Sequence, residues 1–592
     1  MWWKKVMNKD NNPFAYEGAN KLSPKQLLQY YIEDFNYSRF IYSRRNIFLV
    51  GERGTGKTMA LLYNSLPVQI IKARENSKEL DLSIVSIYVP CNTPLFHRKE
   101  HELLDPLHAS LISEHFLVVS IMDKAVESIS KIDNVMTPED EETVRNELAY
   151  VLSMDIPDKI PLFKALRLAL NKRNTTVQEA LNSKGDNETL LNGLFSFGSG
   201  LRPLLNCFSD LPLLKNSHFS LMIDDSQMLN EYQKRILNSW ISFRDNTLFS
   251  FKVTTTRADS PTYKTSSGGA ILESHDFTKI DLEQPYQNKM SKFGNLARDI
   301  IAKRLKAIDV NSTPDDFFPI HKDFDKGLKE AKEEAKRRAK EKYPDGTAKQ
   351  KIDYVYKSER AIYFRSRDPK ANLPYYSGFE LLVHLSTGVI RNLLDPCYHM
   401  YDLMYSKWHA NGGKNLFTLD HIPPQIQADV IKERSTKRWE WARDDLDKTI
   451  DTCSRGDAKH VYQLLDNLAI LFRERLLSDI SEPRAIVFTI SDYKDELKEK
   501  LNRVLTISRR SQLLYMFTSA SKDDGKREPY YMPNRILWPI RGLDPVGQNA
   551  RVSIKAIHLW NAADQNKKIP FDKGEKLNDQ TDAKQGELPL TK

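Results

Sequence analysis

The stretch NIFLVGERGTGKT, Asn46 to Thr58, decides the fold. Asn46 to Val50 is a short apolar run of strand character, Gly51 to Thr58 fits the spacing GxxxxGKT in full, and MALLYNSL, from Met59, starts a helix. A strand, a glycine-rich loop and a helix in that order make a phosphate cradle. Gly51, Gly54 and Gly56 let the backbone curl until its N–H groups and the helix N-terminus converge on phosphate oxygens, an approach that side chains would block. The candidate nucleotide contacts are therefore Gly51, Glu52, Arg53, Gly54, Thr55, Gly56, Lys57 and Thr58. Lys57 would reach the β- and γ-phosphates as a point charge, and the Thr58 hydroxyl would sit on Mg²⁺.

Working outward, LSIVSIYVP at 82–90 alternates and is β-branched, so it reads as a second strand. Residues 95–218 are mostly helical in pattern, too long for a minimal nucleotide fold, and predict a helical insertion. HFSLMIDDSQMLN follows, from His218 to Asn230. Its apolar run delivers Asp224 and Asp225 to the carboxyl end of a buried strand, where a doubly wound sheet binds ligand. There Asp224 would hold Mg²⁺ through water and Asp225 would orient or deprotonate the attacking water. FSFKVTTTRADS at 249–260 reads as the neighbouring strand, ending in Thr254, Thr255, Thr256 and Arg257; HDFTKIDLEQPY at 275–286 supplies a fifth. Arg257 is either a γ-phosphate detector or one half of a structural ion pair.

Upstream, Ser23, Pro24 and Gln26 spell a capped helix start. Pro13 and Phe14 either border an adenine pocket or simply pack. Downstream, KGLKEAKEEAKRRAKEKYPDGTAKQK opens a charged insertion at 326–360, read as a solvated helical spacer with little apolar face. Beyond Asn411, helical patterns at 425–450 and 458–478 precede the strand RAIVFTI at 484–490 and a helix running into another strand. YYMPNRILWPIRGL and ARVSIKAIHLW read as extended segments. Arg503, Arg509, Arg510, Lys522, Lys526, Arg527, Arg535, Arg541 and Arg551 cluster there among Tyr530, Tyr531 and Trp538, an interleaving that suits phosphate contacts with base stacking.

The length of 592 residues exceeds one hydrophobic core and predicts two to four domains. A net charge of +9 permits an acidic partner without demanding one. Cys91, Cys207, Cys397 and Cys453 lie far apart with no zinc-ligand spacing, which fits a reduced cytoplasm. The start MWWKKVMNKDNN lacks a signal-peptide core and no apolar run is long enough to span a bilayer, so a cytoplasmic protein with no membrane partner is expected.

With these parts in register the chain resembles ATPases of the AAA+ class and, within it, the origin-recognition and initiator clade with its bacterial relatives. The resemblance implies ATP and Mg²⁺ as cofactors, Gly51 to Thr58 as Walker A, Asp224 and Asp225 as Walker B, and Thr255 or Thr256 as the first sensor. LSTGVIRNLLD at 385–395 is similar to the second sensor motif, with Arg391 projecting onto the phosphates. Asp225 replaces the commoner Glu and is one methylene shorter, which implies slow, switch-like turnover. The string TTR at 255–257 is similar to signalling ATPases of the STAND class, where the arginine reads the γ-phosphate. Arg244 is one candidate among many for a finger acting across subunits.

The expected architecture is α/β: a core over 1–290 with a P-loop parallel sheet and the insertion near 95–218, a helical lid over 291–410, a winged-helix-like α+β module over 411–560, and a disordered tail over 561–592. The function implied is an ATP-driven switch controlling oligomerisation or DNA engagement through the C-terminal module. The alternative is a signalling or antiphage-defence ATPase that senses a protein partner without DNA.

Overall fold

A computed structural model describes residues 12–15, 18–33, 37–91, 104–182, 191, 193–243, 247–257, 262–282, 290–367, 373–412, 417, 419–478, 485–493, 495–520, 527–546 and 550–571. Arg244, Lys522, Lys526, the side chain of Arg527 and the tail beyond Phe571 lie outside the described residues.

Five strands pair into one parallel sheet: β1 (Ile47–Val50), β2 (Ile84–Pro90), β3 (His218–Asp224), β4 (Phe249–Thr255) and β5 (Thr278–Asp281), in the order β2-β3-β4-β1-β5. Parallel strands covered on both faces read as continuous apolar runs, and β1, β3 and β4 are buried along their whole length. The order places β4 between the glycine-loop strand and the strand that delivers the aspartates. Their carboxyl ends therefore share one edge.

The predicted helical insertion is no separate body. Its helices Pro106–Ile129, Pro138–Val151 and Leu162–Asn182 contribute Leu117, Ile121, Val144 and Leu166 to the same hydrophobic core as Val85, Ile87 and Phe219 of the sheet. The early helix Pro24–Tyr30 starts as read, with Ser23 and Gln26 forming a reciprocal capping box.

The chain divides into two compact units, Glu17–Gln284, and Met1–Tyr16 with Pro285–Lys592. In the second unit Phe14 is fully buried against Phe317, Phe318 and Tyr401, so it packs as core. The charged helix Lys322–Lys342 departs from the solvated spacer expected of it. Phe324, Ala331, Ala335 and Ala339 are buried along one face, which packs on the helix Ala348–Ser366. Alanine seams let helices approach closely, and Gly327 carries this further: a Cβ there would lie 2.5 Å from the Tyr363 ring. The charges sit on the outer face.

Farther on, the helices Pro424–Asp444 and Arg455–Leu477 precede a four-stranded sheet in the order β7-β8-β6-β9, built from β6 (Ala485–Ser491), β7 (Leu514–Ala520), β8 (Arg527–Pro533) and β9 (Ala550–Lys555). The helix Asp495–Arg510 leads into the antiparallel pair β7 and β8, a helix-then-hairpin arrangement, while β9 runs parallel to β6. Two segments differ from the extended reading. Arg535–Leu537 and Pro539–Arg541 are 3₁₀ turns, and AIHLW belongs to the helix Ala556–Asp564, which buries Ala556, Leu559, Ala562 and Ala563 at helical spacing. The expected disordered tail at Asn561 thus begins inside a helix. The four cysteines are buried and unpaired, and no described helix is long and apolar enough to cross a membrane.

Candidate functional site

The loop Gly51–Gly56 turns on two left-handed glycines, Gly54 at φ 90° and Gly56 at φ 95°, a conformation that a Cβ penalises. Gly51 is required by space: a Cβ there would meet Thr55 Oγ1 at 3.0 Å and Leu282 Cβ at 3.3 Å. The loop is rooted to β4 by the Gly51 N–H, which donates to the Thr255 carbonyl (3.3 Å). Thr55 Oγ1 donates to the Glu52 carbonyl (2.9 Å). Lys57, the first residue of the helix Lys57–Asn64, is buried, and its ammonium donates to the carbonyls of Gly51 (2.7 Å) and Glu52 (3.0 Å). Its charge is thereby held against the loop.

Asp224 ends β3 only 1% exposed. Thr254 Oγ1 donates to its Oδ1 (2.6 Å) and Tyr88 donates to its Oδ2 (2.9 Å), with the Thr58 hydroxyl near the same carboxylate. Burial pushes the Asp224 carboxyl above its ordinary range and the neighbouring Asp225 charge adds to this, while the donors from Thr254, Thr58 and Tyr88 oppose it. Asp225 adopts a left-handed backbone (φ 57°, ψ 45°), stabilised by its N–H donating to Thr254 Oγ1 (2.8 Å). Its carboxylate accepts from Gln227 Nε2 (2.9 Å). The donors Thr58 and Asp224 are hard oxygen groups on adjoining elements, the type that Mg²⁺ takes while keeping several of its waters. They fit that ion.

Successive strand residues face opposite sides, so Thr254 and Thr256 share a direction and Thr255 does not. Thr255 lines a recess with Gln227 and Asn238. The threonine on the Asp224 carboxylate is Thr254, which sequence reasoning named as a strand end but gave no role; Thr256 is buried just past β4. Tyr88 was missed altogether. Its only signal is the alternation of IVSIYVP, which puts Tyr88 and Pro90 on one face of β2 and so beside the end of β3.

Of the two readings left open for Arg257, the structure contains the ion pair. Its guanidinium donates to Asp281 at the end of β5, with both side chains 14% exposed. Val50 pairs with Thr255 on one side and Asp281 on the other, so this pair joins the strands flanking the root of the glycine loop. Arg391 belongs to the second unit, as second residue of the helix Ile390–Ala410 behind the left-handed Thr387 (φ 56°) and Gly388 (φ 80°).

Among the described residues of the basic and aromatic cluster, Arg503, Arg535, Arg541 and Arg551 are engaged by neighbours in their own fold. Arg503 makes a two-pronged pair with Asp457 (2.7 Å for each prong), and Arg541 pairs with Asp466 and lies over the Trp439 ring at 4.3 Å. Arg535 is 3% exposed and donates to His384 Nδ1 (3.0 Å), and Arg551 covers the Tyr530 ring at 3.9 Å. Trp538 is wholly buried edge-on to Phe472, and Tyr531 stacks on Phe488. Among the aromatic residues expected to stack on bases, Tyr531 and Trp538 are core.

A family model described as ORC-CDC6-like matches residues 12–362 and 319–554. The chain belongs to the ORC-CDC6-like family. Members of the ORC-CDC6-like family are AAA+ ATPases, in keeping with the glycine loop and the strand-end aspartates. The chain is similar to the crystal structure of Cdc6p from Pyrobaculum aerophilum, with 10% identity over 91% of this chain and 96% of that one at a TM-score of 0.30. It is similar to the Aeropyrum pernix ORC1 protein in complex with DNA (10% identity, 89% and 95% covered, TM-score 0.31). A third is the Aeropyrum pernix ORC2 protein in ADPNP and ADP complexes (10% identity, 94% and 97% covered, TM-score 0.27). These superpositions are loose, and membership rests on the family model. Among curated proteins none matches.

Proposed function

We propose that the protein is an ATP-binding and ATP-hydrolysing switch whose nucleotide state controls self-association or DNA engagement by the C-terminal module. Lys57 and the backbone of Gly51 to Thr58 bind the phosphates, Thr58 and Asp224 hold Mg²⁺, and Asp225 orients or deprotonates water. Mg²⁺ supplies charge neutralisation on the phosphates. Thr256, buried just past β4, acts as a sensor of the γ-phosphate. The observation that carries this reading is that the glycine loop and the buried Asp224 meet at one end of the parallel sheet, with Lys57 held on the loop and the Thr58 hydroxyl near the Asp224 carboxylate.

Asp225→Asn tests it. ATP binding is retained and phosphate release falls by roughly 10²–10⁴-fold, the range for loss of a general base. Undiminished release assigns the water to another residue. Family membership and the net charge of +9 support a DNA partner. Affinity for duplex DNA should then fall steeply with salt, on a straight line in log–log coordinates. The partner-sensing alternative predicts no such binding.

A further inference from the structure

We propose that Tyr88 is a positioning residue for Asp224, fixing the carboxylate in the orientation from which it holds magnesium. The inference rests on the reading of Asp224 as a metal-holding acid. Tyr88 stands opposite Met222 in the β2–β3 register, two residues before the partner of Asp224. It is thus the diagonal neighbour of Asp224 on the same face, a separation that a long aromatic side chain spans. Its hydroxyl donates to Oδ2 at 2.9 Å, and the Cys91 N–H donates to the Asp224 carbonyl at 3.0 Å, so the two strands stay zipped to their ends and the reach of Tyr88 is fixed by backbone.

From the opposite side, Thr254 on β4 donates to Oδ1 at 2.6 Å. One hydroxyl on each oxygen, from strands on either side, removes the rotation of the carboxylate about its last bond. Thr58, in the first turn of the helix after the glycine loop, lies near the same carboxylate. A metal ligand whose orientation is set before the ion arrives loses less freedom on binding, and removal of such outer partners typically costs about 10–100-fold in metal affinity.

The test is titration of a fluorescent ATP analogue into wild type, Tyr88→Phe and Asp224→Asn, in EDTA and over a range of Mg²⁺. For Tyr88→Phe the affinity in EDTA stays at the wild-type value and the Mg²⁺ concentration giving half the enhancement rises by about 10-fold. Tyr88→Met, which also lacks the hydroxyl, must show the same displacement. Asp224→Asn loses the enhancement. Wild-type magnesium dependence in Tyr88→Phe overturns the proposal while leaving Asp224 in place. Equal loss with and without magnesium marks a packing role and overturns it too. Asp224→Asn with its enhancement intact would overturn the reading underneath.

Discussion

The glycine loop with its acid strand and the basic C-terminal stretch both present charged and polar residues in suggestive numbers, yet they put them to opposite uses. At the first, Lys57, Thr58, Asp224, Thr254 and Tyr88 converge on one corner of the sheet. At the second, Arg503, Arg535, Arg541, Tyr531 and Trp538 turn toward their own fold. Fixed spacing specifies backbone geometry and so survives folding as a site. A mere gathering of residue types does not say which way they face.

The contrast is broken most forcefully at Trp538. A fully buried indole removed as Trp538→Ala should cost about 3–5 kcal/mol of stability, read by thermal or denaturant melting. A base-stacking surface residue would leave the melt unchanged and lose DNA affinity instead. At the other region, Lys57→Ala should weaken ATP binding by on the order of 100-fold or more, with little change in the melt. Unchanged nucleotide affinity would remove the site assignment.

The middle of β4 sharpens the comparison. Lys252 is fully buried and donates to the carbonyls of Ser43 and Arg45 and to Ser250 Oγ, and burial pulls its ammonium down to about 7. The unfolded chain keeps that proton up to the ordinary lysine value of about 10.4. Between those limits the unfolded state binds more protons, so this lysine makes stability rise with pH, and its penalty is complete below pH 7. Relative to Lys252→Met, wild type should gain about 2 kcal/mol between pH 7 and pH 9. Parallel stability curves for the two proteins would refute the buried charge. Smallest is Arg337→Ala on the outer face of the charged helix, where it pairs with Glu334 and Glu341; the same melts should show no resolvable change. A larger loss would show that the outer charges, and not the alanine seam, hold the hairpin.

Eight contiguous residues were enough to read the glycine loop, because each must occupy its place for the backbone to curl. Apolar or alternating runs likewise announced β1 to β4 of the parallel sheet. What could not be read was long-range register. Only the seating of β4 between β1 and β3 selects Thr254 over Thr255 and Thr256 as the donor to Asp224, and only the β2–β3 alignment brings Tyr88 within reach. In the charged helix, alanines at every fourth position were visible but carry too little hydrophobicity to announce a buried face. In AIHLW, β-strand residues immediately upstream masked a helix whose apolar spacing continues to Ala563.

The proposed site requires the loop ending in Lys57 and Thr58 to grip a triphosphate together with a metal ion shared with Asp224. Its most direct test is a crystal grown with a non-hydrolysable ATP analogue and Mn²⁺, with the metal located by its anomalous scattering. The manganese peak is expected between Thr58 Oγ1 and the Asp224 carboxylate, with the phosphates on Lys57. A triphosphate and metal bound elsewhere on the chain would contradict it.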